Sequence, residues 1–299
     1  MNDISRCPLC DDRNFKIIST WGILEKGASP IKFNNVICKK CGLVFLNPQP
    51  SMEEYADIYN EYERNCYGLQ YLDKISKLLD FKDNEKGRTV YEFIKDYLGE
   101  ERTVLDIGCT TGQISHYLKK NGGCTVQAID PSKLFSEVVS KKLDINVFNG
   151  LFDDYYKLSQ DKFNILILHH VFEHFVDPLE KLKQFRGLLS EKGVVYIEIP
   201  NVSSFKKPVN AFFNYMHPFS YSPKTFKYLV SKNNFKIIKI NKNKRYRLQV
   251  LIAPQDANYP DVGEDAFWEP GSYRQVYFYI KQRKLIDLFK QIKKKIYGH

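Results

Sequence analysis

Between Val104 and Lys120 an apolar run, Val104-Leu105-Asp106-Ile107, leads directly into Gly108-Cys109-Thr110-Thr111-Gly112 and then into a helix-like stretch from Gln113. A strand, a glycine-bounded turn and a helix in that order let a ligand approach the backbone closely and present it with helix N-terminal N–H donors. Short glycine motifs are also ordinary turns, so the next acid matters. Asp130 ends the following apolar run, Val126-Gln127-Ala128-Ile129, one strand-helix-strand step later, where an acid can accept both hydroxyls of a ribose. Further runs at Phe163 to Leu168 and Val194 to Ile199 alternate with amphipathic stretches. That alternation predicts an α/β fold, a parallel sheet with helices on both faces. A nicotinamide cofactor is disfavoured, because Gly108 to Gly112 lacks the G-x-G-x-x-G spacing.

The chain is 299 residues long, enough for a large core with one or two small appendages. Residues 1–50 read as a small cysteine module, with β-like runs at Phe15 to Ser19 and Leu43 to Leu46 and a proline-rich exit at Asn47-Pro48-Gln49-Pro50. Residues 51–100 read as a helical linker and substrate cap. Ser51 with Glu54 forms a capping-box pattern, helical spacing continues through Leu79, and a second helix is expected from Glu85 to Leu98. The ligand-binding domain is expected over 101–255, with a helix near Pro223 to Asn233 and strands near Phe235 to Ile240 and Arg247 to Ala253. A loop and a basic helix are expected over 256–299.

Cys7-Pro8-Leu9-Cys10 and Cys38-Lys39-Lys40-Cys41 are two C-x-x-C knuckles, 27 residues apart, with room for a β-hairpin between them. Four thiolates suit a closed tetrahedral zinc with a structural role, and two pairs in one module make a redox role the poorer reading. The polar N-terminus and the lack of any membrane-length apolar run point to a cytoplasmic protein. The net charge of +10 would draw nucleic acid, anionic lipid or a phosphorylated small molecule alike. Part of it is a tail property: Lys281, Arg283, Lys284, Lys290, Lys293, Lys294 and Lys295 face only Asp287, a pattern read here as a solvated helix face.

The stretch Asp106 to Gly112, Asp130, and His170-Val171-Phe172-Glu173-His174-Phe175-Val176-Asp177-Pro178 resemble class I methyltransferases. The resemblance implies a Rossmann-like, seven-stranded doubly wound sheet with one antiparallel strand near the C-terminus and S-adenosyl-L-methionine as methyl donor. It places the cofactor at Asp106, Gly108, Cys109, Thr110, Gly112, Asp130, Pro131 and His169. Thr110 stands where the family has a middle glycine, which raises the question of backbone strain. Cys109 reads as a packing residue rather than a nucleophile.

The cysteine knuckles followed by Pro50-Ser51-Met52-Glu53-Glu54-Tyr55 and Tyr59 resemble bacterial sugar C- and O-methyltransferases. In that group the N-terminal module helps to cover the substrate, which makes Tyr62 and Tyr67 candidate pocket residues. A sugar hydroxyl, or a carbon beside a keto group, needs a general base, and histidine suits neutral pH. His217, in Asn214-Tyr215-Met216-His217-Pro218-Phe219-Ser220, matches the base of that group, although Asn214 and Met216 depart from the surrounding pattern. His170, His174 and Glu173 are the further catalytic candidates, with Glu173-His174 often structural. The implied acceptor is a small sugar, nucleotide-linked or part of a surface-glycan precursor. RNA methylation, with the zinc module as reader, is the second reading, and no Asn-Pro-Pro-Tyr motif supports it. A non-catalytic domain that binds a partner, or a small aromatic or quinone acceptor, are the others. The residues leave the sugar, the atom methylated and the oligomeric state open.

Overall fold

Every residue from Val104 to Ile107 is buried, as a strand covered by helices on both faces requires. The structure is a computed structural model that describes residues 2–23, 31–51, 54–55, 84–241, 243, 245–262 and 272–297. Tyr59, Tyr62, Tyr67 and the helix expected through Leu79 lie outside the described residues.

The chain begins with an antiparallel meander of β1 (Phe15–Ile23), β2 (Ile31–Cys38) and β3 (Val44–Asn47), so a hairpin does separate the two cysteine knuckles. The capping box forms: the Ser51 N–H donates to Glu54 Oε2 at 2.7 Å and the Glu54 N–H to Ser51 Oγ at 3.2 Å. The second expected helix is α1 (Glu85–Ile94), N-capped by Asn84 and finished by a 3₁₀ turn over Lys95–Tyr97. Then come β4 (Thr103–Ile107), α2 (Gln113–Gly122), β5 (Thr125–Asp130), α3 (Lys133–Leu143), β6 (Asn146–Asn149), α4 (Phe152–Leu158), β7 (Phe163–His169), α5 (Pro178–Leu188) and β8 (Leu189–Pro200). After a short α6 (Val209–Phe212) and β9 (Phe219–Ser220), α7 (Pro223–Lys232) leads to β10 (Phe235–Ile240) and β11 (Arg247–Pro254), and α8 (Tyr273–Tyr297) closes the chain.

The large sheet has seven strands in the order β10-β11-β8-β7-β4-β5-β6, and β11 alone runs antiparallel to its neighbours. Its strands send alternate residues to opposite faces. Leu105, Ile107, Leu166, Leu168, Val195 and Ile197 enter one apolar cluster; Val104, Ile165, Ile167, Val194 and Tyr196 enter another. The strand order turns between β4 and β7, so the ends of β4, β5 and β7 meet at the crevice where open α/β sheets bind ligands.

The cysteine module is joined to this body by packing and by hydrogen bonds. Cys7, Leu9, Cys38, Leu43 and Phe45 share the first cluster with Phe172, Phe219, Tyr221 and Phe226. β3 pairs with β9 (Val44 with Ser220, Phe45 with Phe219), which extends the meander to four strands. No described helix is long and apolar enough to cross a membrane.

Candidate active site

Gly108 and Gly112 hold φ of +74° and +71°, and a side chain at either would collide with packed neighbours. A Cβ would lie 2.5 Å from Val171 Cγ2 at Gly108 and 2.8 Å from Leu143 Cδ1 at Gly112. These glycines are sterically required. Thr110 also sits in the left-handed region at φ +48°, which a β-branched side chain resists. What holds it there is Asp130: the Thr110 N–H donates to Asp130 Oδ2 at 2.7 Å and the Ser132 N–H to Oδ1 at 3.0 Å. The carboxylate thus fastens the turn after β4 to the turn after β5. Thr110→Gly is expected to stabilise the fold by up to about 1 kcal/mol, the left-handed penalty less the glycine entropy. Denaturant unfolding reads it, and a loss of stability instead would show that the threonine side chain holds the loop.

A cavity of about 690 Å³ opens over these turns. Of the residues expected to bind the cofactor, Gly108, Thr110, Asp130, Pro131 and His169 line it. Asp106, Cys109 and Gly112 are buried behind its wall instead. Asp106 accepts a 2.5 Å hydrogen bond from Ser115 Oγ, which ties β4 to α2, and burial pushes its carboxyl upward. Cys109, 6% exposed, lies in the core and its thiol is raised by burial, in keeping with a packing role.

Several lining residues belong to no motif in the sequence: Lys86 from α1, Ser132 and Phe135 after β5, and Gly150, Leu151, Phe152 and Asp153 after β6. Lys86 is the one Lys or Arg among the described lining residues. Burial lowers its pKa against the pull of Asp106 and Glu198. A half-buried lysine two residues after an N-cap is a legible signal only once α1 is known to pack beside α2, with Asn84 Nδ2 donating to the Gln113 carbonyl at 2.6 Å.

His170, His174 and His217 line the same cavity, together with Tyr55, Asn214, Tyr215 and Met216. The His174 Nδ1–H donates to the Met216 carbonyl at 2.8 Å, which fixes its tautomer and seats the loop that carries His217. The two imidazoles stand 4.9 Å apart, edge to face at 75°. Asn214 winds that loop, its Oδ1 accepting from the Met216 N–H at 2.9 Å. Burial, reinforced by His174, lowers the His217 pKa to about 4, so the ring is neutral at pH 7.

His170 follows β7 at φ +59°, with Nδ1 3.2 Å from Glu173 Oε1. Glu173 is 2% exposed and does not line the cavity. Burial pushes its carboxyl up, but the His170 hydrogen bond and the nearby His174 and His217 bring it below the usual value. His169 Nε2 lies 3.7 Å from Glu198 Oε1, and burial with Lys86 drives its pKa to about 3. Glu198 is itself clamped by Arg247 Nη1 at 2.9 Å and Tyr196 Oη at 2.9 Å.

The four cysteines of the N-terminal module converge. Cys7 Sγ lies 3.6 Å from Cys41 Sγ, Cys10 Sγ lies 3.6 Å from Cys38 Sγ, and all four sulfurs fall within 4.8 Å of one another. A tetrahedron with metal–sulfur bonds of about 2.3 Å has edges of about 3.8 Å, so the spacing fits one small soft cation. Each knuckle turns through a left-handed residue, Asp11 at φ +62° and Gly42 at φ +82°. Hydrogen bonds from Cys41 and Cys7 pull the Cys38 thiol down, while the bond to Cys38 pushes Cys7 and Cys41 up. Four sulfurs this close form a group that could hold one metal ion.

The N-terminal segment reaches the cavity by two routes. The Leu46 N–H donates to the Pro218 carbonyl at 2.9 Å beside the β3–β9 pairing, one residue from His217. Tyr55 Oη donates to the Tyr215 carbonyl at 2.8 Å. The histidine loop is therefore held on both sides by the N-terminal segment.

No curated protein matches the chain. Among solved structures, the 1,6-didemethyltoxoflavin-N1-methyltransferase of Burkholderia thailandensis, with bound 1,6-didemethyltoxoflavin and S-adenosylhomocysteine, is 14% identical and has a TM-score of 0.51. The match covers 74% of this chain and 98% of that one. The plantazolicin methyltransferase BamL, in complex with a triazolic desmethylPZN analog and SAH, is 17% identical over 68% of this chain and 97% of its own, with a TM-score of 0.49. A SAM dependent methyltransferase from Archaeoglobus fulgidus is 19% identical over 75% and 92%, with a TM-score of 0.44. At these identities the likeness is one of fold. The sequence itself goes further, since residues 62–240 match the family profile described as "Methyltransferase domain". With more than half of its length inside that profile, the chain belongs to the methyltransferase-domain family.

Proposed function

We propose that this S-adenosylmethionine-dependent methyltransferase acts on a sugar, nucleotide-linked or part of a surface-glycan precursor. The transfer is to a hydroxyl oxygen or to a carbon beside a keto group, with His217 as the general base. The observation that carries this reading is that His217 lines the same cavity as Gly108, Thr110 and Asp130 and is neutral there. Tyr55 and Tyr215 beside Asn214, His170 and His174 suit a pyranose, which has apolar C–H faces and hydrogen-bonding edges. When bound, the donor supplies a methyl group already activated on a sulfonium. The chain's own part is then alignment and proton removal.

Asp130, which lines the cavity and accepts from the Thr110 and Ser132 N–H groups, is the acid for the ribose hydroxyls, and Lys86 is the cation for the donor's carboxylate. Asp130→Ala is expected to weaken S-adenosylhomocysteine binding about 10- to 100-fold, the worth of a charged hydrogen bond, as read by calorimetry. An unchanged Kd would remove Asp130 from the cofactor site. His174 acts as a positioning residue through the Met216 carbonyl, and Cys7, Cys10, Cys38 and Cys41 hold a structural Zn2+.

The base must be unprotonated, and its pKa of about 4 lies below that of free histidine. The kcat/KM profile of the free enzyme is therefore expected to stay level from pH 8 to about 5 and to fall only as pH drops toward 4. An acid limb centred near 6.5 would contradict a buried His217 base. The acceptor class is tested by incubating the protein with methyl-labelled S-adenosylmethionine and two pools, nucleotide-sugars and total RNA. Label in a nucleotide-sugar supports the proposal; label in RNA alone refutes it and makes the cysteine module an RNA reader.

A further inference from the structure

The sequence pattern of α8 reads as a solvated basic face, yet its outward surface is apolar. Phe278 is 62% exposed, Leu285 52%, Leu288 52%, Phe289 69% and Ile292 43%. At 100° per residue Phe278, Leu285, Phe289 and Ile292 fall within a stripe about 60° wide, with Leu288 at its edge. The orientation of the helix is fixed by its other side. Val276 and Ile280 are buried, Tyr279 Oη donates to the Phe205 carbonyl at 2.6 Å, and Arg283 Nη2 donates to the Lys206 carbonyl at 2.6 Å. Asp287 Oδ2 accepts from the Val209 N–H at 2.7 Å. The only acid of α8 is thereby turned inward, and the exposed Lys281, Lys284 and Lys293 flank the apolar stripe.

We propose that the outward face of α8 is a docking surface for an anionic lipid bilayer, with the apolar stripe entering the headgroup boundary and the lysines meeting lipid phosphates. Amphipathic helices that lie in a membrane interface combine apolar side chains on one stripe with flanking basic residues. Two features select this occupant over others. An RNA or an acidic protein would answer the lysines but leave five large apolar side chains in water. A second copy of the same helix would cover the stripe but oppose lysine to lysine. The helix lies on the bilayer and does not cross it. The inference is independent of which acceptor is methylated, since none of these residues lines the cavity.

The test is sedimentation of the full-length protein with vesicles of phosphatidylcholine alone or of equimolar phosphatidylcholine and phosphatidylglycerol. Binding to the second and not the first is expected, with release as salt is raised. Leu285→Ser combined with Phe289→Ser, and separately Lys281→Gln combined with Lys284→Gln and Lys293→Gln, are each expected to lower the partition by about tenfold or more while S-adenosylhomocysteine binding is unchanged. Failure to bind anionic vesicles overturns the proposal. So does binding that the serine pair leaves intact, which would be lysine attraction alone. Self-association in the ultracentrifuge that the serine pair abolishes, with no vesicle binding, would assign the face to a second copy instead.

Discussion

His217→Ala is expected to lower kcat by about 10²- to 10⁴-fold, the usual worth of a positioned general base, while S-adenosylhomocysteine affinity changes by less than about twofold. The split follows from where the residue sits. Asp130, Thr110 and Gly108, the proposed cofactor residues, line the cavity from the turns after β4 and β5, whereas His217 comes from the loop before β9. Its removal leaves the donor's contacts in place. A structural role would show a different signature, a lowered melting temperature with parallel loss of binding. Partial rescue of His217→Ala by added imidazole separates the two further, because a small base can refill the site only if the loop still stands. Unchanged turnover would remove His217 as the base.

Removal of the proposed zinc from the cysteine tetrad is expected to have the second large effect. Structural zinc supplies about 10–16 kcal/mol to small folds of this kind, far more than the meander's own core can replace. Chelation, or Cys38→Ser at the fully buried ligand, should therefore unfold β1–β3, and the Phe45–Phe219 pairing and Tyr55–Tyr215 contact would go with them. Methyl transfer is then expected to fall by at least about tenfold although no cysteine of the tetrad lines the cavity, because a histidine misplaced by about an ångström costs that much or more. The readouts are one zinc per chain by metal analysis, loss of near-ultraviolet dichroism on chelation, and activity recovered by added zinc. Protein free of zinc yet fully folded and active would contradict both the metal assignment and the coupling.

The parts of this site legible in the sequence are those where local pattern and tertiary role agree. The strand at Val104 to Ile107, the glycine-bounded turn and Asp130 read directly, because a buried parallel strand is a short apolar run and the left-handed turn selects glycine. The cysteine pairs read from spacing, and Ser51 with Glu54 from capping chemistry. β6 escaped notice because it is the edge strand: Asn146-Val147-Phe148-Asn149 is partly exposed along its length and ends in asparagine on both sides. The cavity wall that follows it, Gly150 to Asp153, was lost with it. The start of β8 was obscured by Ser190-Glu191-Lys192-Gly193, which looks like a turn. The register shift between β7 and β8 at Phe163 and Ile165 accommodates these residues within a strand that begins at Leu189. The β3–β9 pairing joins residues about 175 positions apart through two-residue contact, and no periodicity announces such a ladder. The apolar outward face of α8 was hidden by its lysines for a related reason: which side a helix shows to solvent is decided by what Tyr279, Arg283 and Asp287 bind, not by its composition.

Cofactor and acceptor chemistry are proposed to meet in one cavity, between the turn at Gly108 to Gly112 and the loop at His217. A crystal structure of the protein with S-adenosylhomocysteine tests it most directly. Both ribose hydroxyls are expected on the Asp130 carboxylate, the homocysteine part over the Gly108 to Gly112 turn, and the sulfur facing the His174–His217 pair. S-adenosylhomocysteine bound elsewhere, or bound here with its sulfur directed away from His217, would contradict it.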